Sequence, residues 1–534
     1  MSKAALQPNT EALPLLERWL GAIVLVVLNI ATLPLLNRSL DRLLDRLLYP
    51  YPNDGLEGTL LYEARLIQAG QPLYRPLSRH EFVSAPYPPI HTALVALLDQ
   101  IAGPNPFWGG RLVSALAAFS IGLLIILIIW AVGRSWSAGF LGAAMFLSAP
   151  VVILWSSRIK PDMLAICFAT IGLLCALLGT SANQSAANNR QSHLQPFWRT
   201  HAWWWLTAAA IWFAIAFFTR QTTLMAAFAV SIALVLNDLI AWRRKQLIDQ
   251  CWILPLQKRT VAFGMLLVGL MLGFWGVADL ITAGQFTAHV WGLHRSEWWS
   301  LYLVQKYALR LTPYWPALLL VLPLLAWAWR NARARMLACY VLIAPITLLG
   351  AAEISANHNH LLESHLAIGL ACGAAVAWAV SSKQFNLMRR ATILPRLAIL
   401  ALFAFQLWVA YQPQKVFVGE FRPSDSPERF VVFIRNTPGE ILADDVGLLI
   451  AGGKPVRYDD PSTMGPAARW GIWDQSGLLE EIAQRKFSAI MIRDDVENDP
   501  YDEVGRWTSE MRAAIRKHYV IKFRDRVRVY VPKQ

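Results

Sequence analysis

Residues 111–132 read RLVSALAAFSIGLLIILIIWAV, with one charge at the first position and nothing more polar than serine after it. As a helix rising 1.5 Å per residue, this run extends about 33 Å. That is enough to cross the roughly 30 Å hydrocarbon core of a bilayer. No polar face interrupts the run, so an amphipathic surface helix is the poorer reading. Similar apolar runs occupy 19–36, 137–156, 163–180, 203–219, 222–241, 260–281, 313–329, 336–352, 361–380 and 397–412, for a total of about eleven spans. The composition agrees. Of 534 residues, 56% are hydrophobic and only 16% are charged, where a soluble domain carries about 25% charge. The sequence therefore predicts a polytopic α-helical membrane protein.

The formal net charge of +14 does not point to nucleic acid, because the Lys and Arg residues gather at the ends of apolar runs, where they anchor helices. With the N-terminus cytoplasmic, the inner connections hold most of these cations, Arg243-Arg244-Lys245 among them. The positive-inside rule prefers that orientation, and an odd number of spans puts the C-terminus outside. Five cysteines without a CxxC pair indicate neither a zinc site nor a disulfide framework. The first apolar run lacks a small-residue cleavage pattern and reads as a retained anchor.

Two outer segments are long. The first covers about 37–110 and contains LDRLLDRLL (40–48), which predicts an amphipathic helix in the interface. It also contains PPIHTALVALLDQIAG (88–103), which is short for a span and suits a re-entrant or interfacial helix. The second, 282–312, carries Trp291, Trp298 and Trp299, which suit the headgroup boundary. The segment 181–202 is Ser/Asn/Gln-rich and reads as a flexible inner loop. Residues 1–412 thus form the membrane domain. Beyond them, 413–534 turn polar and alternate apolar runs (EILADD, KPVRYDD, SAIMIRDD, HYVIKFRDRVRVYVP) with helix-like stretches, which predicts a small α/β domain.

Four polar clusters fall on the outer face. In Asn53-Asp54-Gly55-Leu56-Glu57-Gly58, Asp54 and Glu57 share a face if a helix starts there, and a carboxylate so placed can act as general base towards a hydroxyl. The plainer reading is a helix start with acidic first-turn residues. Arg158-Ile159-Lys160-Pro161-Asp162 suits a phosphate or sugar contact, or simply opens the next helix. Thr219-Arg220-Gln221 lies between two apolar runs; Arg220 either snorkels to the interface or binds a lipid-borne phosphate through its planar fork. Asn357-His358-Asn359-His360-Leu361-Leu362-Glu363-Ser364-His365 suits a polar pocket wall or a helix cap. A divalent metal site is the weaker alternative, because the spacing matches no strong ligand signature.

Taken in order, these clusters, together with Gln71-Pro72-Leu73-Tyr74 and Tyr87-Pro88-Pro89, resemble the GT-C glycosyltransferases. The resemblance is to the family 39 group, which includes the protein O-mannosyltransferases and the aminoarabinose transferase of lipid A, and it covers about residues 18–412. It implies a polyprenyl-phosphate sugar donor, inverting transfer to a hydroxyl acceptor on a lipid, glycan or protein, no firm cofactor, and a place in the plasma membrane, the inner membrane of a bacterium. It also implies a carboxylate base and cations that stabilise the departing lipid phosphate. Asp54 is favoured as base with Glu57 next, because relatives show adjacent Asp-Glu before the glycine while Asn53-Asp54 and Glu57-Gly58 are split here. Asp162 matches the second acidic position. Arg158, Lys160 and Arg220 are the phosphate candidates, and Gln221, Tyr87, His358, His360 and Glu363 are further substrate-binding candidates. Loss of transfer with unchanged abundance is expected for both Asp54→Asn and Glu57→Gln. A non-catalytic binder of lipid-linked sugar and a transporter are the alternatives. The transporter is disfavoured because the polar clusters sit at helix ends and no internal repeat is visible.

Overall fold

A computed structural model describes residues 12–188, 202–249, 256–294, 300–352, 357–380, 393–412, 427–493, 506–524 and 527–534. Trp298, Trp299, the loop expected at 181–202 from residue 189 to 201, and residues 413–426 after the expected domain boundary lie outside them. The first part of the chain builds α1 (Ala12–Leu48), α2 (Glu57–Gln68), α3 (Pro89–Leu98), α4 (Trp108–Gly133), α5 (Trp136–Leu147), α6 (Pro150–Ser156) and α7 (Pro161–Asn188). The last of these carries helix through 181–188, so that part of the expected loop is helical.

Among the described residues, eight helices are long and apolar enough to cross a membrane, and two bent pairs bring the number to ten. The eleventh expected span corresponds to Ala202–Phe217, an apolar helix of 16 residues. Two other expected straight spans are broken. The run 137–156 becomes α5 and α6, bent by 74°, and 313–329 falls in a second pair, Leu301–Leu319 and Val321–Ala328, bent by 51°. The first break has a local cause. Pro150 opens α6, and Ala149 before it is extended at φ −67°, ψ 129°, as a residue preceding proline prefers.

The amphipathic stretch 40–48 also departs from expectation. It is not a separate interfacial helix but the last turns of α1, with Leu43 and Leu47 buried against Ala115 of α4 and Ile153 of α6. Burying those leucines fixes the last turns of α1 against α4 and α6.

Helix Leu362–Val380 is the axis of the bundle, and almost every residue in it is buried. Close approach explains its small side chains. A Cβ on Gly369 would lie 2.8 Å from the Gly142 carbonyl oxygen of α5, and one on Gly142 would lie 2.5 Å from the Gly369 carbonyl oxygen. Two helices in backbone contact of this kind pack by van der Waals fit, which supplies association where lipid offers no hydrophobic drive.

The C-terminal region forms a four-stranded sheet in the order β1 (Glu440–Ala443), β2 (Phe487–Arg493), β4 (Val527–Pro532), β3 (Tyr519–Arg524). β1 and β2 are parallel, while β4 is antiparallel to both β2 and β3. The run KPVRYDD joins no strand of this sheet. Its Tyr458 instead pairs with Phe82 of the first long loop, with Phe82 N–H donating to the Arg457 carbonyl at 2.8 Å and Asp459 N–H donating to the Phe82 carbonyl at 3.0 Å. Gly58, at the start of α2, meets Gly447 so closely that a Cβ there would fall 2.0 Å from the Gly447 nitrogen. The sheet region is thereby fastened onto the loop that carries the acidic turn.

Candidate functional site

The turn 53–57 is local chemistry first. Asp54 Oδ1 accepts from Leu56 N–H at 3.0 Å, and the Asp54 carbonyl accepts from Glu57 N–H at 3.1 Å, so the side chain caps its own turn. The bend between α5 and α6 then delivers the chain 157–160 beside it. Lys160 Nζ lies 2.9 Å from Asp54 Oδ1 and Arg158 Nη1 lies 3.5 Å from Oδ2. Arg158 stacks over Trp155 at 4.6 Å. Burial alone would raise the Asp54 pKa, but Lys160, Arg158 and the Leu56 N–H outweigh it and hold the carboxyl well below the usual range.

Glu57 departs from the role expected of it. Its side chain is fully buried, with Arg111 Nε at 3.1 Å from Oε1 and Nη2 at 2.9 Å from Oε2. Asn53 N–H donates to Oε2 at 2.6 Å and Ile159 N–H to Oε1 at 3.1 Å. Four donors use the lone pairs a carboxylate offers. Arg111 spends its remaining hydrogens on the carbonyls of Arg46, Tyr49 and Tyr51. Glu57 therefore staples the acidic turn to α4 and to the 157–160 turn, and has no lone pair left for a substrate proton.

Asp162, in the first turn of α7, is buried and pairs with Arg220 Nη1. Only Pro161 separates it from Lys160, so Asp54, Lys160, Arg158, Asp162 and Arg220 gather at one end of the bundle. Tyr87 stands among them. Burial raises its hydroxyl pKa, Lys160 and Arg220 oppose this, and Asp162 adds to it. Gln221 donates through Nε2 to the carbonyls of Pro86 and Val290 at 3.2 and 3.3 Å, tying the first loop to helix Gln285–Val290, while its buried Oε1 has no partner among the described residues. Glu363 hydrogen-bonds Tyr340, feels Arg220, and keeps Oε2 buried without a partner among the described residues.

The histidines diverge. His358 Nδ1 meets Asn357 Oδ1 at 2.7 Å, its ring standing 6.1 Å from Trp155. The His360 ring rests against Gly350, and His365 Nδ1 bonds the Leu361 carbonyl at 2.8 Å. Among the described residues, no group of three or more His, Cys, Asp or Glu is arranged to hold a metal ion, so the metal reading of 357–365 gains no support from the geometry.

No protein-family profile and no curated protein matches the chain. Solved structures do. ArnT from Cupriavidus metallidurans in the apo state aligns at TM-score 0.55 and 13% identity, over 95% of this chain and 97% of that one. The same protein bound to undecaprenyl phosphate aligns at 0.54 and 14%. The archaeal oligosaccharyltransferase AglB from Archaeoglobus fulgidus, in complex with an inhibitory peptide and a dolichol-phosphate, aligns at 0.52 and 10%, over 97% of this chain and 74% of that one. The chain has the GT-C glycosyltransferase fold.

Within this GT-C fold, several residues of the site region carried no clear signal in the sequence. Arg111 heads an apolar run and looks like a membrane anchor; only its solitary charge at the start of a span hinted at an inward role. His91, on α3, is fully buried, and neither ring nitrogen has a partner among the described residues. Burial lowers its pKa to about 4, with Asp162 opposing and Lys160 adding. A buried acidic cluster joins loop to sheet region. Glu63 Oε1 accepts from Ala85 N–H at 3.0 Å and Ser84 Oγ at 3.3 Å, and Asp459 accepts from Ser84 N–H at 3.0 Å, with Asp460 beside them. Burial, with Asp460 adding and the Ala85 and Ser84 donors opposing, pushes Glu63 up to about 8; burial and the two neighbouring carboxylates raise Asp459. No sequence pattern links residue 63 to 459.

Proposed function

We propose that this protein is an inverting glycosyltransferase that moves a sugar from a polyprenyl-phosphate donor to a hydroxyl acceptor at the extracytoplasmic face of the membrane, with the C-terminal region on that same side. The observation that carries the reading is the pairing of each acid in the cluster with a cation, Asp54 with Lys160 and Arg158, and Asp162 with Arg220. ArnT bound to undecaprenyl phosphate, a protein of the same fold, supports a lipid phosphate as the anion these cations meet.

The mechanism follows from charge. An arriving lipid phosphate draws Lys160 and Arg158 away from Asp54. The carboxylate, relieved of its cations, regains basicity. The acceptor oxygen attacks the anomeric carbon from the face opposite the phosphate, its proton passes to Asp54, and the bond from anomeric carbon to phosphate oxygen breaks with its electron pair on the phosphate. Negative charge grows on that phosphate in the transition state, so Lys160, Arg158 and Arg220 stabilise it more than the ground state. Asp162 holds Arg220 in place for this.

The test is transfer of radiolabelled sugar from polyprenyl-phosphate donors in membranes. Asp54→Asn is expected to lose at least about a hundredfold in rate per mole of folded protein, the usual contribution of a positioned base. Lys160→Ala is expected to slow transfer through the leaving group. A full rate in Asp54→Asn would remove the base assignment, and the absence of transfer from every donor by the wild type would remove the transferase reading.

A further inference from the structure

His91 is one of the polar side chains in this region that the mechanism leaves unused, Gln221 and Glu363 being others. It lies in the first turn of α3, which opens at Pro89 and packs on α2, α4 and α7. The ring is fully buried and both nitrogens lack a partner among the described residues. Asp162 and Lys160 both act on it electrostatically, so it borders the phosphate-binding cations. A buried polar group that makes no hydrogen bond is destabilising. An apolar residue of similar size would avoid that cost.

The chemistry of the ring selects its partner. A neutral imidazole offers one N–H donor and one lone-pair acceptor. A phosphate diester oxygen only accepts, so it would satisfy one nitrogen and strand the other. Hydroxyl groups both donate and accept, so two of them on a sugar, one at each nitrogen, satisfy the whole ring, and an amine takes the place of one. We propose that His91 is a specificity-determining residue that hydrogen-bonds a hydroxyl or amino group of the donor's sugar, while the neighbouring cations take the phosphate. This rests on the polyprenyl-phosphate reading above and names the group that tells one sugar-lipid from another. Sites built to hydrogen-bond a substrate group discriminate strongly against substrates lacking it, because their own polar atoms are then left unpaired.

The experiment measures binding to the full chain in detergent. The probes are undecaprenyl phosphate alone and undecaprenyl phosphates carrying glucose, mannose or 4-amino-4-deoxyarabinose. His91→Phe removes both nitrogens and keeps the ring. It is expected to leave affinity for undecaprenyl phosphate within about twofold and to weaken at least one sugar-lipid about tenfold or more, with His91→Gln, which keeps a donor and an acceptor, recovering part of the loss. The thermal midpoint of His91→Phe should be equal to wild type or higher, since an unsatisfied polar group is gone; if the larger ring does not fit, His91→Leu serves the same comparison. Equal affinity of wild type and His91→Phe for every sugar-lipid that the wild type binds overturns the proposal alone. An equal loss for undecaprenyl phosphate overturns it too and makes His91 a phosphate contact. Failure of the wild type to bind any of the four lipids overturns this proposal together with the donor assignment it rests on.

Discussion

At the scale of single residues, Asp54 and Glu57 look equivalent in sequence, three apart on one helix start, and the structure separates them. Asp54 faces two cations, Lys160 and Arg158, and Glu57 is locked on Arg111 with all its acceptor positions filled. Removing one partner of a buried ion pair leaves an uncompensated charge and costs about 3–5 kcal/mol. Glu57→Gln and Arg111→Met, each of which leaves a fully buried partner alone, are therefore expected to lower abundance and thermal stability more than Asp54→Asn, whose carboxylate and cations keep some exposure. The double variant should be less destabilised than the sum of the two, because the charge left alone in each single variant is absent. Thermal unfolding and membrane abundance of the three variants check this; an abundant, stable Glu57→Gln that has lost only transfer would return Glu57 to the list of bases. The identity of the acidic turn was legible in the sequence. The division of labour within it was not, because it depends on Arg111, which is 54 residues away.

At the scale of elements, spans were legible because a bilayer demands long apolar runs, but their straightness was not. The bend at Ser148-Ala149-Pro150 is written in one proline inside an apolar stretch, and it brings Arg158 and Lys160 to Asp54. The contact of Glu63 with Asp459 and Asp460 belongs to this scale as well. Below the ordinary carboxylate value of 4.5, Glu63 is protonated in folded and unfolded chains alike. As pH rises from there, the unfolded chain ionises freely while folded Glu63 holds its proton up to about 8. Stability contributed at this junction therefore falls across that window and levels off above it. The thermal midpoint should drop between about pH 5 and pH 8, and Glu63→Gln, which keeps an acceptor for Ala85 N–H, should flatten the drop. A slope unchanged by Glu63→Gln would place the pH dependence elsewhere. Gly58→Ala tests the neighbouring contact. Its Cβ has no room beside the Gly447 backbone, so the sheet region must shift, and transfer is expected to fall with the spans intact.

For the whole molecule, hydropathy was enough to give the class and nearly all the membrane helices, since apolar length is a local property. The packing of the C-terminal region onto the first loop was not readable, because Gly58, Phe82 and Ser84 meet Gly447, Tyr458 and Asp459 across almost the whole chain length. α1 carries a last consequence. Ile23, Val26, Val27, Ile30 and Leu33 are exposed along it, and so are Leu40, Leu44 and Leu48 near its end. From 23 to 48 these exposed apolar residues, with exposed Asn37, Asp41 and Asp45 among the last of them, span about 38 Å, longer than a bilayer core of about 30 Å. Lipid answers such a mismatch by tilt or by thickening around the helix, at fractions of a kcal/mol per Å. The helix ends five residues before the acidic turn begins, so membrane drawn up along it raises the headgroup plane towards Lys160. Transfer rates in vesicles of increasing acyl length should climb until the membrane matches that length; rates indifferent to thickness would remove α1 as a guide for the lipid substrate.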